Sequence, residues 1–151
     1  MPPDLRSCIT ALHIPQAKSP LTQKSHAAIL TSKKQIPSAH EALHAYEELK
    51  KEDDHIRVID LYCIKPLDQT TLQEAATATK AIITVKDHFA EGGIGEAVRS
   101  AVTAPSVPVY SLAVRKMPKS GTPEGLLNYE EISGDAIIRK AQTILRSLCI
   151  Q

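Results

Sequence analysis

The chain has 151 residues, of which 18 are basic and 17 acidic, so its formal net charge is +1. This length predicts a single domain, and the charge balance argues against the basic field that nucleic-acid or membrane binding needs. Aromatic residues make up only 3% of the chain, which predicts an aliphatic core and excludes stacking platforms for single-stranded nucleic acid.

The three cysteines, Cys8, Cys63 and Cys149, share no spacing typical of a metal site or a redox pair. We therefore expect reduced thiols, with Cys63 as a small core residue. No apolar run approaches the roughly 20 residues of a membrane span, and no signal peptide is visible. The sequence predicts a soluble, cytoplasmic protein without a nucleic-acid or membrane partner.

The first 25 residues contain four prolines, which exclude a continuous helix. We expect at most one edge strand there. An apolar run over 26–31 predicts the next strand. Ser38 and Glu41 then have the spacing of a capping box, which predicts that a helix begins at this serine. A second strand is predicted over 56–61, and Asp68 is placed to cap a helix whose inner face is Leu72, Ala75, Ala76 and Thr79.

The central unit of the sequence is a buried strand followed by a glycine-rich turn and a helix. Residues 81–85 are apolar or β-branched, which suits a strand covered on both faces. A polar turn is expected from residue 86. Gly92, Gly93 and Gly95 then permit positive φ and close backbone approach. The helix that follows has an apolar stripe at helical spacing, formed by Ile94, Ala97, Val98, Ala101 and Val102.

The remaining pattern predicts one strand and two helices. The strand is expected within 107–114 and is followed by a basic loop rich in turn residues. Thr122 and Pro123 suit the N-cap and first residue of a short helix through Leu127. Ser133 is placed to cap the last helix. This strand–helix alternation predicts an α/β fold of three layers (α/β/α) with a mostly parallel sheet, in which ligands usually sit beyond the carboxyl ends of the strands.

One cluster resembles a catalytic site. Asp87, His88 and Glu91 place an imidazole between two carboxylates beside a helix N-terminus, which suits acid–base chemistry. No nucleophile or metal partner accompanies these residues, so we favour a role in capping the turn and contacting a neighbouring domain.

Two segments have the composition of a weak anion site: Gly92, Gly93 and Gly95 of the turn, and Arg115, Lys119 and Ser120 of the basic loop. The turn is a GGxG sequence without the GxGxxG spacing of dinucleotide sites, so a packing turn is favoured, and the loop is more simply solvated or docked on another domain. His40 and His44 have a metal-compatible spacing but no evident third ligand. We predict no catalytic, cofactor-binding or metal-binding residue in this chain.

Two long segments resemble one enzyme family. RVIDLYCIKPLD over 57–68 is similar to the transketolase segment RVIDL-x-x-IKPLD, and TVKDHFAEGGIGEAV over 84–98 is similar to TVEDH-x-x-EGGIGEAV. The resemblance runs from about residue 14 to the end and points to the C-terminal domain of transketolase, the third domain of that thiamine-diphosphate enzyme. It implies a flexible lead segment over 1–13, a domain over 14–151, and a five-stranded sheet whose first strand, near 16–21, is antiparallel.

The resemblance also implies a function. Transketolases transfer a two-carbon ketol unit between sugar phosphates in the pentose phosphate pathway, using thiamine diphosphate and a divalent metal ion (Mg²⁺ or Ca²⁺) that other domains hold. This chain is then expected to be non-catalytic alone and to pack against other transketolase domains or a second copy in a homodimer. Two alternatives stay open: a phosphate- or nucleotide-binding regulatory module, and a stand-alone protein-interaction domain.

The chain departs from the family pattern at three places. A glycine-rich turn of the family is replaced by 32–36, and the glutamate of TVEDH is replaced by Lys86, which reverses a charge. Glu130 and Glu131 stand where the family has Tyr-Gly. These changes lie in loops and at their rims.

Overall fold

Strands and helices alternate through the part of the chain that the structure, a computed structural model, describes. That part is residues 27–31, 36–61, 63–103, 107–117 and 119–149, without the side chains of residues 36, 37 and 149. In chain order the elements are β1 (Ala27–Thr31), α1 (Ile36–Lys51), β2 (Ile56–Asp60), α2 (Gln69–Ala78), β3 (Ile82–Phe89), α3 (Ile94–Ala101), β4 (Val109–Val114), α4 (Pro123–Tyr129) and α5 (Gly134–Cys149).

The described strands form one parallel sheet in the order β2-β1-β3-β4. The chain moves from β1 to β2 on one side and then crosses to β3 on the other, so the winding direction changes between β1 and β3. Such a switch opens a crevice at the carboxyl ends of the two strands. The predicted parallel α/β fold is confirmed for these four strands. The antiparallel strand expected near 16–21 and the lead segment over 1–13 lie outside the described residues.

The sheet is covered on both faces, as the three-layer prediction requires. Successive strand residues point to opposite faces, and Ile29 and Leu30 of β1, both fully buried, belong to different core clusters. The cluster around Ile29 is completed by α1 and α5, and the cluster around Leu30 by α2 and α3. Burial on both faces explains why β1 and the first half of β3 are continuous apolar runs.

Strand β3 is longer than predicted. The polar residues from Lys86 onward indicated a turn, yet the strand continues to Phe89, which pairs with Val114 of β4 beyond an irregularity in register. The prediction was wrong because backbone pairing does not require apolar side chains where a strand leaves the core. The consequence is that Lys86, Asp87 and His88 belong to a strand and not to a turn.

Helix starts follow the capping predictions in two cases. Asp68 accepts the backbone N–H of Thr71 at 2.9 Å and the hydroxyl of the same residue at 3.1 Å. Thr122 accepts the N–H of Gly125 at 3.2 Å, with Pro123 as the first residue of α4. The last helix begins directly after Ser133, whose carbonyl accepts the N–H of Ile137 at 2.9 Å.

The capping box predicted at Ser38 is wrong. Helix α1 begins earlier, at Ile36, because a proline at position 37 is tolerated in a first helical turn. Ser38 is instead buried inside the helix, with its hydroxyl 3.3 Å from Thr31 Oγ1. The carboxylate of Glu41 accepts the backbone N–H of Gly134, so it caps α5 and not its own helix.

The cysteine prediction needs a correction as well. Cys63 is reduced but only half-buried, because it follows the end of β2 in a loop at the sheet edge and is not in the core. Cys8 lies outside the described residues, as does the side chain of Cys149. Among the helices of the described ranges, none combines the length and apolarity needed to cross a bilayer.

Candidate functional site at the carboxyl edge of the sheet

The residues singled out in the sequence lie at one edge of the sheet. The strands are parallel, so their last residues, Thr31, Asp60, Phe89 and Val114, all stand at the carboxyl edge. The glycine-rich turn leaves this edge after β3, and the basic loop leaves it after β4. The edge adjoins the crevice between β1 and β3, the usual place of a ligand in such a sheet.

The glycine-rich turn starts α3 without a side-chain cap. Gly92 has φ +63°, the left-handed region that favours glycine, and a Cβ added to it would meet nothing within 4 Å. Its N–H donates to Glu96 Oε2 at 2.9 Å. Gly93 is the N-cap residue and, being a glycine, makes no side-chain bond to the first turn of the helix. The N-cap residue of α3 therefore supplies no side-chain cap of the usual kind.

Gly95 lets α3 lie directly on the sheet. A Cβ at this position would lie 2.6 Å from Ser111 Oγ and 3.1 Å from Thr84 Oγ1. These two hydroxyls belong to β4 and β3, so any larger residue would push the helix away from both strands. Gly95 thus has the environment of a packing glycine.

Lys86 occupies the space that an N-cap side chain would fill. Lys86 is 8% exposed. A Cβ added to Gly93 would lie only 1.9 Å from the Nζ of this lysine. Within the ranges that the structure describes, the ammonium makes no hydrogen bond or ion pair. Sequence reasoning noted the charge of Lys86 but missed its burial. The alternation along β3 from Ile82 through Thr84 would have placed it on the inner side facing α3.

Asp87, His88 and Glu91 differ in their burial. Asp87 and His88 are consecutive residues of β3, within the irregularity in its pairing with β4. Asp87 is half-buried, and its Oδ1 is buried without a hydrogen-bond donor among the described groups. His88 is exposed; its Nδ1 accepts the N–H of Phe89 at 2.8 Å, and its ring stands edge-on to the phenyl ring at a centroid distance of 5.8 Å. Glu91 is exposed in the turn.

Large apolar side chains are exposed at the same edge. In the described ranges these are Ile64 (38%), Phe89 (48%) and Met117 (80%). Ile64 follows the end of β2, Phe89 ends β3, and Met117 follows the end of β4. In the described ranges the large apolar side chains that are exposed therefore all lie on segments that end or follow a strand. Sequence reasoning missed Ile64 and Met117, because a single apolar residue in a polar loop carries no periodic signal.

Residues 37–137 match the protein family described as "Transketolase, C-terminal domain". The chain belongs to the transketolase C-terminal domain family. The resemblance seen in the sequence is thereby confirmed, and most of the described elements fall within the matched range.

Similar proteins are much longer than this transketolase-family chain. It is 50% identical over 108 residues to the transketolase of Homo sapiens, covering 70% of this chain and 17% of that one. It is 51% identical over 110 residues to transketolase-like protein 1 of Macaca fascicularis, covering 72% of this chain and 18% of that one. A solved structure described as a split gene transketolase, inactive beta4 tetramer, has a TM-score of 0.73 and 28% identity, covering 82% of this chain and 40% of that chain.

The basic loop of this transketolase-family domain is anchored to the end of α4. The backbone N–H groups of Arg115 and Lys116 both donate to Glu130 Oε2, at 3.0 and 3.1 Å. Lys116 also donates its ammonium to the carbonyl of Tyr129. Glu130, one of the departures from the family pattern, thus holds two backbone donors of the loop.

The cations proposed for an anion site in this loop have partners within the chain. Arg115 Nη2 donates to the carbonyl of Ser111 at 3.3 Å, and Lys119 Nζ lies 4.4 Å from the centre of the Tyr129 ring. Ser120 is exposed in the same loop. These contacts give the loop a fixed place beside α4, whereas Lys86 and Gly93 form a separate arrangement under the glycine-rich turn.

Glu131, the other glutamate that departs from the family pattern, occupies a backbone conformation that suits glycine. Helix α4 ends in a Schellman motif, in which the N–H of Ile132 donates to the carbonyl of Leu127 at 3.0 Å. Glu131 has φ +59° in this motif. We expect Glu131→Gly to raise the free energy of unfolding by about 1 kcal/mol, since the left-handed conformation costs a residue with Cβ roughly that much, while an exposed ion pair with Lys116 contributes little. Urea unfolding measures the change.

The matched control is the same substitution one residue earlier. Glu130 has φ −84° and holds the loop, so Glu130→Gly removes useful contacts without relieving strain, and it is expected to lower stability. A loss of stability in Glu131→Gly comparable to that in Glu130→Gly would contradict the argument from backbone conformation.

Proposed function

We propose that the chain serves as the non-catalytic C-terminal domain of a transketolase-type enzyme of the pentose phosphate pathway, acting in the cytoplasm. Its role is to pack against the domains that bind thiamine diphosphate and to support the dimer. Membership of the family supports this proposal, as does the small share of the full-length relatives that the chain spans, 17 or 18%.

The observation that carries the docking role is the exposed apolar surface at the carboxyl edge. Ile64, Phe89 and Met117 are exposed at or after the ends of β2, β3 and β4, on the carboxyl edge of one sheet, and exposed apolar groups on one side of a domain are typical of protein interfaces. His88 stands against Phe89. An aromatic side chain beside polar groups has the composition of an interface hot spot.

The described residues contain no group of three or more His, Cys, Asp or Glu side chains able to hold a metal. As the family resemblance implies, we assign the cofactor and the transfer of the ketol unit to companion domains, and we derive no catalytic step from this chain.

A domain exchange tests the proposal. In the chimera, this chain replaces the matching region of the human transketolase. We expect the chimera to be dimeric and to transfer a ketol unit when thiamine diphosphate and Mg²⁺ are present, whereas the chain alone forms no product. Phe89→Asp in the chimera is expected to weaken docking and to lower activity about thirtyfold, the effect of losing one interface hot spot.

The matched control is Thr103→Asp, which introduces the same charge at an exposed position after α3, away from the carboxyl edge. This variant is expected to keep both the dimer and the activity. Turnover by the isolated chain would refute the non-catalytic role. Equal activity of the Phe89→Asp and Thr103→Asp chimeras would refute docking through this edge.

A further inference from the structure

Strand β4 is an edge strand of the described sheet. The strand order places it last, beside β3. Along a strand, the backbone N–H and C=O groups of successive residues point alternately to the two sides. The carbonyl of Pro108 accepts the N–H of Ile82 on β3 at 3.0 Å, so the backbone groups of Val109 and Ser111 point away from β3. A row of outward backbone groups is a template for pairing with a further strand.

Two arginines cover these outward carbonyls. Arg99, near the end of α3, donates from Nη2 to the carbonyl of Val109 at 3.3 Å. Arg115, the residue after β4, reaches back along the strand and donates from Nη2 to the carbonyl of Ser111, also at 3.3 Å. The two acceptors are successive outward carbonyls of β4. Two guanidinium groups therefore lie where the backbone of an added strand would have to lie.

Glu130 fixes the position of Arg115. Its Oε2 accepts the backbone N–H of Arg115 at 3.0 Å, which attaches the chain just beyond β4 to the end of α4. The side chain that reaches back to Ser111 therefore starts from a backbone position that is itself held. Both Arg99 and Arg115 are exposed, and exposed hydrogen bonds of this length contribute little to folding. Their effect is expected on association and not on stability.

We propose that Arg99 and Arg115 keep the outer edge of β4 closed to strand pairing, and that the edge they cover fits the β4 of a second copy. Two identical strands can pair antiparallel about a twofold axis, because each then presents the same backbone groups to the other. The sequence of β4, VYSLAV, contains two valines and a tyrosine, which favour strands. Residues 109–112 are only half-buried, which leaves part of the strand accessible.

Charge opposes this pairing while both arginines are present. Contact between two β4 edges would bring four guanidinium groups together, and each would first have to leave its carbonyl. Like charges placed against each other at an interface disfavour association strongly, and charged side chains on an edge strand are a general protection against such pairing. The outer edge of β4 is not the carboxyl edge of the sheet, so this inference goes beyond the docking role proposed above and does not depend on it.

Sedimentation velocity of the 151-residue chain at several concentrations tests the proposal. The double variant Arg99→Ala with Arg115→Ala is expected to self-associate at least about tenfold more tightly than the unmodified chain. Amide hydrogen exchange at Val109 and Ser111 should become slower as the concentration of this variant rises, because these N–H groups enter the new pairing. The midpoint of urea unfolding should shift by less than about 0.3 M, which separates association from unfolding.

Two further variants keep the test decisive. Arg139→Ala with Arg146→Ala removes the same charge from exposed positions on α5 and should associate like the unmodified chain. Val109→Pro, added to the variant without the two edge arginines, removes one outward N–H at the first residue of the strand, where proline is tolerated, and should reverse the association. Association no tighter than in the α5 variant, association without slower exchange along β4, or association unchanged by Val109→Pro would overturn the proposal.

Discussion

Replacing Gly95 by valine is expected to lower the free energy of unfolding by about 3 kcal/mol. The position lies in the first turn of α3, where the helix backbone lies against the hydroxyls of Thr84 and Ser111. A Cβ at 2.6 Å from Ser111 Oγ is far inside contact distance, and valine adds two methyl groups to the clash. The strands below cannot withdraw, because Thr84 is fully buried within β3. Helix propensity, which favours other residues over glycine by up to about 1 kcal/mol, is too small to compensate.

The comparison that isolates this effect is Gly121→Val in the exposed loop before α4. There an added Cβ would lie 3.6 Å from the nearest atom of Leu126, an ordinary contact. We expect a change within about 0.5 kcal/mol for this variant. Urea unfolding followed by circular dichroism measures both, and a Gly95→Val chain as stable as Gly121→Val would refute close helix–sheet packing at this glycine.

The packing of Gly95 illustrates what a sequence reveals about this fold. The continuous apolar run over 81–85 and the helical stripe beginning at Ile94 are patterns visible along the chain, and they predict a buried strand and a helix correctly. The role of each glycine at the start of α3 is not visible in such a pattern. It depends on what lies opposite in space, here two hydroxyls on strands that are separated from each other along the chain by 27 positions (84 to 111).

Capping shows the same limit. Asp68 and Thr122 cap the helices that follow them, because the bond they make is local and the spacing of three residues is visible in the sequence. Glu41 has the same local spacing from Ser38, yet its carboxylate binds the N–H of Gly134 on α5. The packing of α1 against α5 brings that competing donor close, and no local pattern reports it.

The sequence indicates where a candidate site would lie on the sheet but not which side chains come together there. Parallel strands place their ends at one edge, so the sequence places the turn after β3 beside the crevice in which such folds usually bind ligands. The sequence pattern groups the glycines with Arg115 and Lys119, whose contacts are instead with the middle of β4 and the last residue of α4. The sequence predicts that Lys86 lies in a turn, whereas the structure places it on β3 with its ammonium beside Gly93.

Truncating one large side chain in each of the two apolar layers beside the sheet is expected to cause a large loss in the free energy of unfolding. Leu30 and Ile137 are both fully buried and belong to different core clusters. Each change to alanine should cost about 3 kcal/mol through lost burial and the cavity left behind. Because the sheet separates the two sites, the losses should add to about 6 kcal/mol, within about 0.5 kcal/mol. A loss of that size would leave a domain of ordinary stability close to unfolding.

The matched control is a second double substitution, in which Ile29, the neighbour of Leu30 in β1, is changed together with Ile137. Ile29 is equally buried but shares the cluster of Ile137, between the sheet and α5. In Ile29→Ala with Ile137→Ala, one cavity can relax into the other, so the combined loss should depart from the sum by more than about 0.5 kcal/mol. The two double-mutant cycles, measured by urea unfolding, therefore distinguish a sheet with two separate apolar layers from a single continuous core. An interaction free energy between Leu30 and Ile137 as large as that between Ile29 and Ile137 would contradict the three-layer arrangement. The sheet would then not separate the two apolar layers energetically.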